Sequence, residues 1–176
     1  MKITKELLKE KGACADGYRD FLKEYPVDKY PDGVEYQELL DCCAEKNFSY
    51  GLWLLGAFGK TDEIRKIDGD LIVEKGIIFA GRLEVKGCIK AGWGIEAGWG
   101  IKAGDGIKAG RGIEADYGIE AGWGIKAGDG IKAGCEFGVY AGLRCKITNK
   151  TFRKIVAKER PENIMCGEFE EKSDSE

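Results

Sequence analysis

Histidine is absent from this chain of 176 residues, and its absence excludes several kinds of chemistry at once. Without an imidazole the chain cannot form a Ser-His-Asp triad, a Cys-His pair, a histidine-ligated zinc site or a histidine general base. Proline is also scarce, at three residues, and no apolar run approaches the length of about 18 residues that a membrane-spanning helix needs. The sequence has no stretch typical of a signal peptide, so we predict a cytoplasmic protein without a membrane partner.

Cysteine and charge exclude further classes of site. The seven cysteines show no Cys-x-x-Cys spacing, which favours neither a zinc ribbon nor a disulfide framework. We expect the thiols to be reduced and mostly buried. The adjacent Cys42 and Cys43 are predicted to have a packing role rather than a redox role. We predict no metal and no cofactor. The 28 basic side chains balance 31 acidic ones without forming a basic stripe, so direct binding of nucleic acid is not expected.

Residues 1–62 are predicted to form a module of short helices. Apolar periodicity and end signals place them over residues 5–11, 16–25, 34–46 and 50–58. Thr4 and Ser49 are typical N-terminal caps, while Gly12, Pro26 and Gly59 mark ends. The last helix is apolar nearly all round, so we expect it to be buried.

From about residue 67 the sequence repeats every six residues, which is its strongest signal. The central hexads read AGWGIE, AGWGIK, AGDGIK, AGRGIE, ADYGIE, AGWGIK and AGDGIK. We predict that Ala and Ile face inward and that Lys or Glu in the sixth slot faces outward. The glycines are expected to supply the backbone freedom that turns a corner in each hexad. One hexad cannot bury its own isoleucine, so stacked coils must form a shared core.

The predicted fold class is therefore α+β, with a helical module followed by a short single-stranded β-helix over residues 63–148. We favour three hexads per coil and about four coils, which places Trp93, Arg111 and Asp129 in one column. The stretch 93–112 nearly repeats as 117–136, however, and this offset of four hexads reflects either four hexads per coil or a duplicated block. Residues 149–176 are expected to cover the open end and to finish in a disordered acidic tail.

The hexads AGWGIK and AGDGIK resemble the repeats of left-handed β-helix proteins, the hexapeptide-repeat acyltransferases, over about residues 67–146. The resemblance implies architecture alone, because the catalytic and zinc-binding histidines of that family have no counterpart here. The stretch VKGCIKAG resembles bactofilins, polymer-forming proteins whose β-helix is right-handed, so the handedness stays open. The layout of helices followed by repeats also resembles bacterial and phage β-helix proteins.

The corner slot of the hexads carries the candidate binding residues. It holds three tryptophans, one tyrosine and one arginine, namely Trp93, Trp99, Arg111, Tyr117 and Trp123. The same slot also holds Asp105 and Asp129, so we expect it to be exposed. Exposed Trp, Tyr and Arg on a rigid scaffold are typical of binding hot spots. We interpret the five residues as a surface for a protein partner.

The sequence thus predicts a non-enzymatic protein-interaction protein with no catalytic residues. Its small size and the phage resemblance lead to one hypothesis, an inhibitor of a host defence nuclease of the anti-CRISPR type. It would act by steric occlusion of a nucleic-acid-targeting complex in the host cytoplasm. The alternative is a self-assembling, polymer-forming scaffold. We also expect a homodimer through the C-terminal end, formed by Phe137, Val139, Tyr140 and Leu143.

Overall fold

The computed structural model describes residues 1–46, 49–146 and 148–173 and has a helical module followed by a parallel β-helix, as predicted. The helices are α1 (Lys5–Glu10), α2 (Ala15–Glu24), α3 (Tyr36–Lys46) and α4 (Gly51–Phe58). A short antiparallel pair, β1 (Lys2–Ile3) and β2 (Val34–Glu35), precedes α1 and α3. The hydroxyl of Thr4 caps α1 by accepting a 3.2 Å hydrogen bond from the N–H of Leu7. The tail predicted to be disordered is residues 170–176, but Glu170 and Glu171 belong to the last strand (Glu168–Glu171). Residues 174–176 lie outside the described residues.

The β-helix has three faces, each a parallel sheet. Face A consists of β3 (Ile64–Ile67), β6 (Arg82–Val85), β9 (Ile101–Ala103), β12 (Ile119–Ala121), β15 (Val139–Ala141) and β17 (Ile164–Cys166). Face B consists of β4 (Leu71–Val73), β7 (Ile89–Ala91), β10 (Ile107–Ala109), β13 (Ile125–Lys126), β16 (Lys154–Ala157) and β18 (Glu168–Glu171). Face C consists of β5 (Ile77–Phe79), β8 (Ile95–Ala97), β11 (Ile113–Ala115) and β14 (Ile131–Ala133).

The strand register confirms three hexads per coil. Ile107 pairs with Ile89 below it and with Ile125 above it, each three hexads away, so the longer repeat of four hexads does not set the coil. The expected number of coils was wrong: faces A and B have six strands each, because β16, β17 and β18 extend these sheets. On face C the fifth coil forms no strand, since its chain crosses through Pro161, which cannot donate a ladder hydrogen bond.

The core of the β-helix is a stack of isoleucines and alanines. Ile95, Ile101 and Ile107 are at most 2% exposed, and the hexad alanines from Ala91 to Ala127 are at most 6% exposed, which confirms the predicted inward slots. Burying one such isoleucine contributes about 1.5–3 kcal/mol. Because alanine fills one of the two inward slots, the coil is slim and its isoleucines pack on one another along the axis.

The corner glycines serve a different purpose from the one predicted. The glycines with positive φ in the described chain are Gly12, Gly33, Gly59, Gly142 and Gly167, so none lies in the regular hexads. A Cβ added at Gly104 or Gly110 would instead overlap the backbone carbonyl oxygen of the coil below. Glycine at this slot therefore allows close stacking of successive corners, and unusual backbone dihedrals are not its role.

The helical module covers the first strand edge of face C. The Gln37 side chain, on α3, donates a 2.7 Å hydrogen bond to the carbonyl of Ile78 and accepts one of 3.2 Å from the N–H of Ala80. The carbonyl of Ala44 accepts a further hydrogen bond from the N–H of Gly76. Ile78 points out of the coil and joins the core of the helical module. The module thus pairs an edge that would otherwise be open to another strand.

Each end of the coil is closed by an arginine against a phenylalanine. The guanidinium of Arg65 lies 4.4 Å from the ring centre of Phe79 at the first coil. At the last coil, Arg160 lies 5.7 Å from the ring of Phe169. Ile164 and Phe169 pack against the core from β17 and β18, which extend faces A and B, whereas Met165 is 66% exposed. Within the described residues, no helix has the length and apolar character that a bilayer crossing requires.

Candidate functional site

The five predicted binding residues lie at three different corners of the β-helix. The BC corner, between faces B and C, holds Trp93 and Arg111; the CA corner holds Trp99 and Tyr117; and the AB corner holds Trp123. A face of the β-helix separates each group from the next, so the five side chains do not form one surface. Each corner is therefore described by its own contacts.

At the BC corner, side chains stack in the predicted column. The N–H of Arg111 donates to the carbonyl of Trp93, and the N–H of Asp129 donates to that of Arg111. The ring of Trp93 lies 4.9 Å from the ammonium of Lys75 and 6.0 Å from the guanidinium of Arg111. Trp93 is only partly exposed between these two cations. Its ring face is therefore already occupied by cation–π contacts within the chain.

The CA corner carries a stack of three aromatic rings. Tyr117 lies between Trp99, at 4.6 Å between ring centres, and Phe137, at 3.9 Å. Lys60 lies over both Trp99 and Tyr117 and forms a 2.8 Å ion pair with Asp116. The indole N–H of Trp99 donates a 2.9 Å hydrogen bond to the carbonyl of Thr61. This stack fixes the linker between α4 and β3 against the β-helix.

The AB corner presents the most exposed aromatic pair of the β-helix. Trp123 and Phe152 are each 48% exposed, with ring centres 5.6 Å apart, and Leu143 is 50% exposed. Trp123 and Phe152 line an open hollow of about 570 Å³ together with Arg144. The remaining lining residues are Cys145, Lys146, Thr148 and Asn149, so no acidic side chain of the described chain borders the hollow. We call Trp123, Leu143, Arg144 and Phe152 the Trp123 patch.

Sequence reasoning missed the role of Phe152, which it placed in the end cover. The sequence did contain a sign that this region is distinct, because residues 137–158, which include Phe152, contain six basic residues and no acidic one.

Comparisons with family models, with curated proteins and with solved structures give no match for this chain. Of the three corners, the AB corner is the one whose tryptophan has no covering cation among the described residues.

The residues predicted for self-association are spread over different places. Phe137 stacks on Tyr117 at the CA corner, and Leu143 belongs to the Trp123 patch. Val139 is fully buried in the core, and Tyr140 points outward from face A beside Glu120. They do not make one contact surface at the end of the coil.

A second feature, a cleft of about 780 Å³, runs over face C between the helical module and residues 159–163. Its floor contains Glu96, Glu114 and Lys132, which are neighbours in the strand register. Lys132 donates a 3.1 Å hydrogen bond to Glu114. The Oε2 atom of Glu96 is buried close to Gly51 at the start of α4, and none of the residues that the structure describes forms a hydrogen bond with it. Burial, and to a lesser degree the charge of Glu114, raise the pKa of Glu96 to about 7.

Cys42 and Cys43 lack the environment that activates a cysteine. Only Cys43 is buried, while Cys14 and Cys135 are exposed, so the expectation of mostly buried thiols was wrong. Burial raises the pKa of Cys43 to about 12 and also raises that of its neighbour Cys42. Both thiols are therefore protonated at neutral pH and are poor nucleophiles. Among the residues that the structure describes, no three Cys, Asp or Glu side chains come together as metal ligands.

Proposed function

We propose that the protein is a non-enzymatic binding protein that docks a partner protein on the Trp123 patch. The exposure of Trp123 and Phe152 carries the proposal, because the other corner aromatics are engaged within the chain. Large aromatic side chains beside an arginine are the usual centre of a protein interface. Trp123 stands on a hydrogen-bonded coil, where its N–H donates to the carbonyl of Asp105, so little of its backbone freedom is lost when a partner binds.

The competing proposal, a polymer-forming scaffold, requires coils to stack end to end. Arg65 and Arg160 work against such stacking, since each places a cation at the point where the core of a second copy would continue. Inward-pointing charge at an edge is a common device against uncontrolled strand pairing. Filaments of the purified protein in negative stain would favour the scaffold; a defined monomer or dimer in light scattering would favour the binding protein.

As the biological role of this binding, we propose inhibition of a host defence nuclease, of the anti-CRISPR type. This role is supported by the resemblance to phage proteins and by the small mass of 19.3 kDa. A rigid body of this kind, held by one patch, would block access of nucleic acid to the nuclease by its bulk. No catalytic step is needed for such occlusion.

Capture of a partner from bacterial lysate by the tagged protein, followed by mass spectrometry, tests the proposal. The Trp123→Ala variant should lose the captured protein because the centre of the interface is removed. Trp93→Ala is the matched control, since Trp93 stands in the same Ala-Gly-Trp-Gly-Ile-Glu/Lys hexad but between two cations. Unchanged circular dichroism would show that both variants are folded. Equal capture by both variants would refute the Trp123 patch as the docking surface.

A further inference from the structure

The helical module contains a cavity of its own, apart from the three corners of the β-helix. It has a volume of about 360 Å³ and lies among the loop after α1 and the helices α2, α3 and α4. Each of the four helices contributes a buried apolar side chain to its lining, namely Leu8, Phe21, Leu39 and Leu54. A volume of this size with a mostly apolar lining is typical of small-molecule sites. We call it the module cavity.

Gly17 leaves the module cavity open at its mouth. A Cβ added at Gly17 would lie 3.4 Å from the Sγ of Cys14 and 3.4 Å from the ring of Tyr50, so these two residues flank the glycine. All three residues line the cavity, and Cys14 is exposed. Glycine is unfavourable inside a helix, yet Gly17 lies within α2. Its missing side chain provides the opening between Cys14 and Tyr50.

Among the described residues, Asp20 is the one charged side chain that lines the module cavity. Its Oδ2 accepts a 3.1 Å hydrogen bond from the hydroxyl of Tyr50. Its Oδ1 accepts no hydrogen bond and forms no ion pair in the described part of the chain. Asp16, one turn earlier on α2, does not line the cavity and is paired with Arg19 at 2.8 Å. Asp20 is partly exposed and so places a negative charge at the mouth, with one oxygen available to a ligand.

The inner part of the cavity offers no partner for a charge. The thiols of Cys42 and Cys43 line it and are protonated at neutral pH, as described above. A charged group of a ligand must therefore stay beside Asp20, because a buried charge needs a partner. A carboxylate or a phosphate at the same place would meet Asp20 without a basic side chain in the described lining. The lining thus favours a cationic ligand with an apolar body.

We propose that the module cavity binds a small primary amine with an apolar body. Its ammonium group would donate a hydrogen bond to Oδ1 of Asp20, and its apolar body would lie against Phe21, Leu39 and Leu54. Charge-assisted hydrogen bonds are stronger than neutral ones, so the site should prefer an amine to an alcohol of the same shape. The proposal goes beyond the proposed function, since the module cavity shares no described residue with the hollow at the Trp123 patch.

Phenethylamine, whose amine is protonated at neutral pH, is a suitable probe. Its binding is titrated by ligand-observed NMR beside phenethyl alcohol and hydrocinnamate, which carry the same ring with a neutral and a negative group. The amine should bind at least about tenfold more tightly than either. Asp20→Asn keeps an acceptor for Tyr50 and should weaken binding of the amine about tenfold or more. Asp16→Asn is the matched control and should bind the amine like the unaltered protein, with circular dichroism showing that both variants are folded.

Alkylation of the cysteines by iodoacetamide, followed by mass spectrometry of the peptides, shows where the amine binds. Cys14 and Cys135 are both exposed, but only Cys14 lines the module cavity. At about ten times its dissociation constant the amine occupies about 90% of the sites, so alkylation of Cys14 should slow about tenfold. Alkylation of Cys135 should not change.

Four results would each overturn the proposal. They are no binding of phenethylamine, equal binding of the three probes, equal loss of binding in Asp16→Asn and Asp20→Asn, and unchanged alkylation of Cys14 while the amine is bound. The last result would place the amine outside the module cavity.

Discussion

Replacing Glu96 with glutamine should stabilise the protein at alkaline pH and leave it nearly unchanged in acid. The carboxyl group lies between Gly51 of α4, Ile78 of β5 and Glu114 of β11, and its buried Oε2 has no hydrogen-bond partner in the described part of the chain. Its pKa is about 7 in the folded protein, against an ordinary value of 4.5. The folded state holds the proton of Glu96 more tightly than the unfolded state does. The contribution of this proton to the free energy of unfolding is therefore fully present below pH 4.5 and is lost as the pH rises through 7.

The magnitude follows from these two pKa values. Their difference corresponds to about 3.4 kcal/mol of unfolding free energy at 1.36 kcal/mol per pH unit. The side chain keeps some contact with solvent, so we expect a loss of about 2–3 kcal/mol between pH 4.5 and pH 8. Glutamine carries no charge at any pH and should abolish this loss.

Urea denaturation at a series of pH values measures the effect. The unaltered protein and Glu96→Gln should have similar stability near pH 4.5 and differ by about 2–3 kcal/mol above pH 8. Glu120→Gln is the matched control, because Glu120 stands in the same sequence GIEAGWG but pairs with Lys102 on face A. The reasoning would be refuted if Glu96→Gln and Glu120→Gln showed the same pH dependence as the unaltered protein.

Three substitutions test, by thermal unfolding, how the coils of the β-helix pack on one another and on the helical module. Gly110→Ala should destabilise the protein by about 2–4 kcal/mol, since the added Cβ overlaps a carbonyl of the coil below. Gly130→Ala, with nothing within 4 Å of the added Cβ, should cost far less, and equal costs would contradict the close-stacking role. Gln37→Ala leaves the carbonyl of Ile78 and the N–H of Ala80 unpaired and should cost about 1–3 kcal/mol. A change below about 0.5 kcal/mol would mean that water replaces the amide.

The hexad pattern was sufficient to predict which side chains form the core. Isoleucine and alanine recur at fixed slots, and a period of six with small corner residues closes only as stacked coils, so Ile95 and Ile113 are buried as predicted. The extra coils escaped prediction because the repeat is lost after about residue 137. Ile155 and Phe169 pair in register, although neither stands in a recognisable hexad.

The contacts of the corner residues could not be read from the repeat. Trp99 is covered by Lys60, which lies in the linker before the first strand, and Trp93 is covered by Lys75 from the coil below. Trp123 instead meets Phe152, which lies beyond the end of the regular hexads, and stays half exposed. These partners come from other parts of the chain, where no periodicity points to them.

The internal repeat shows where sequence information ends. Residues 94–110 and 118–134 are identical, so local sequence assigns the same inward and outward positions to both. The offset of four hexads is one full coil plus one face, and each copy therefore lies one face further round. This shift places Glu96 next to Gly51 of α4, with its Oε2 buried, and places Glu120 on face A, where it pairs with Lys102. It also stacks Lys126 on Lys108. The repeat therefore specifies which side chains face the core and which face outward. What each outward side chain contacts depends on the folded molecule, because neighbours on a β-helix come from the adjacent coil and from the elements packed on each face.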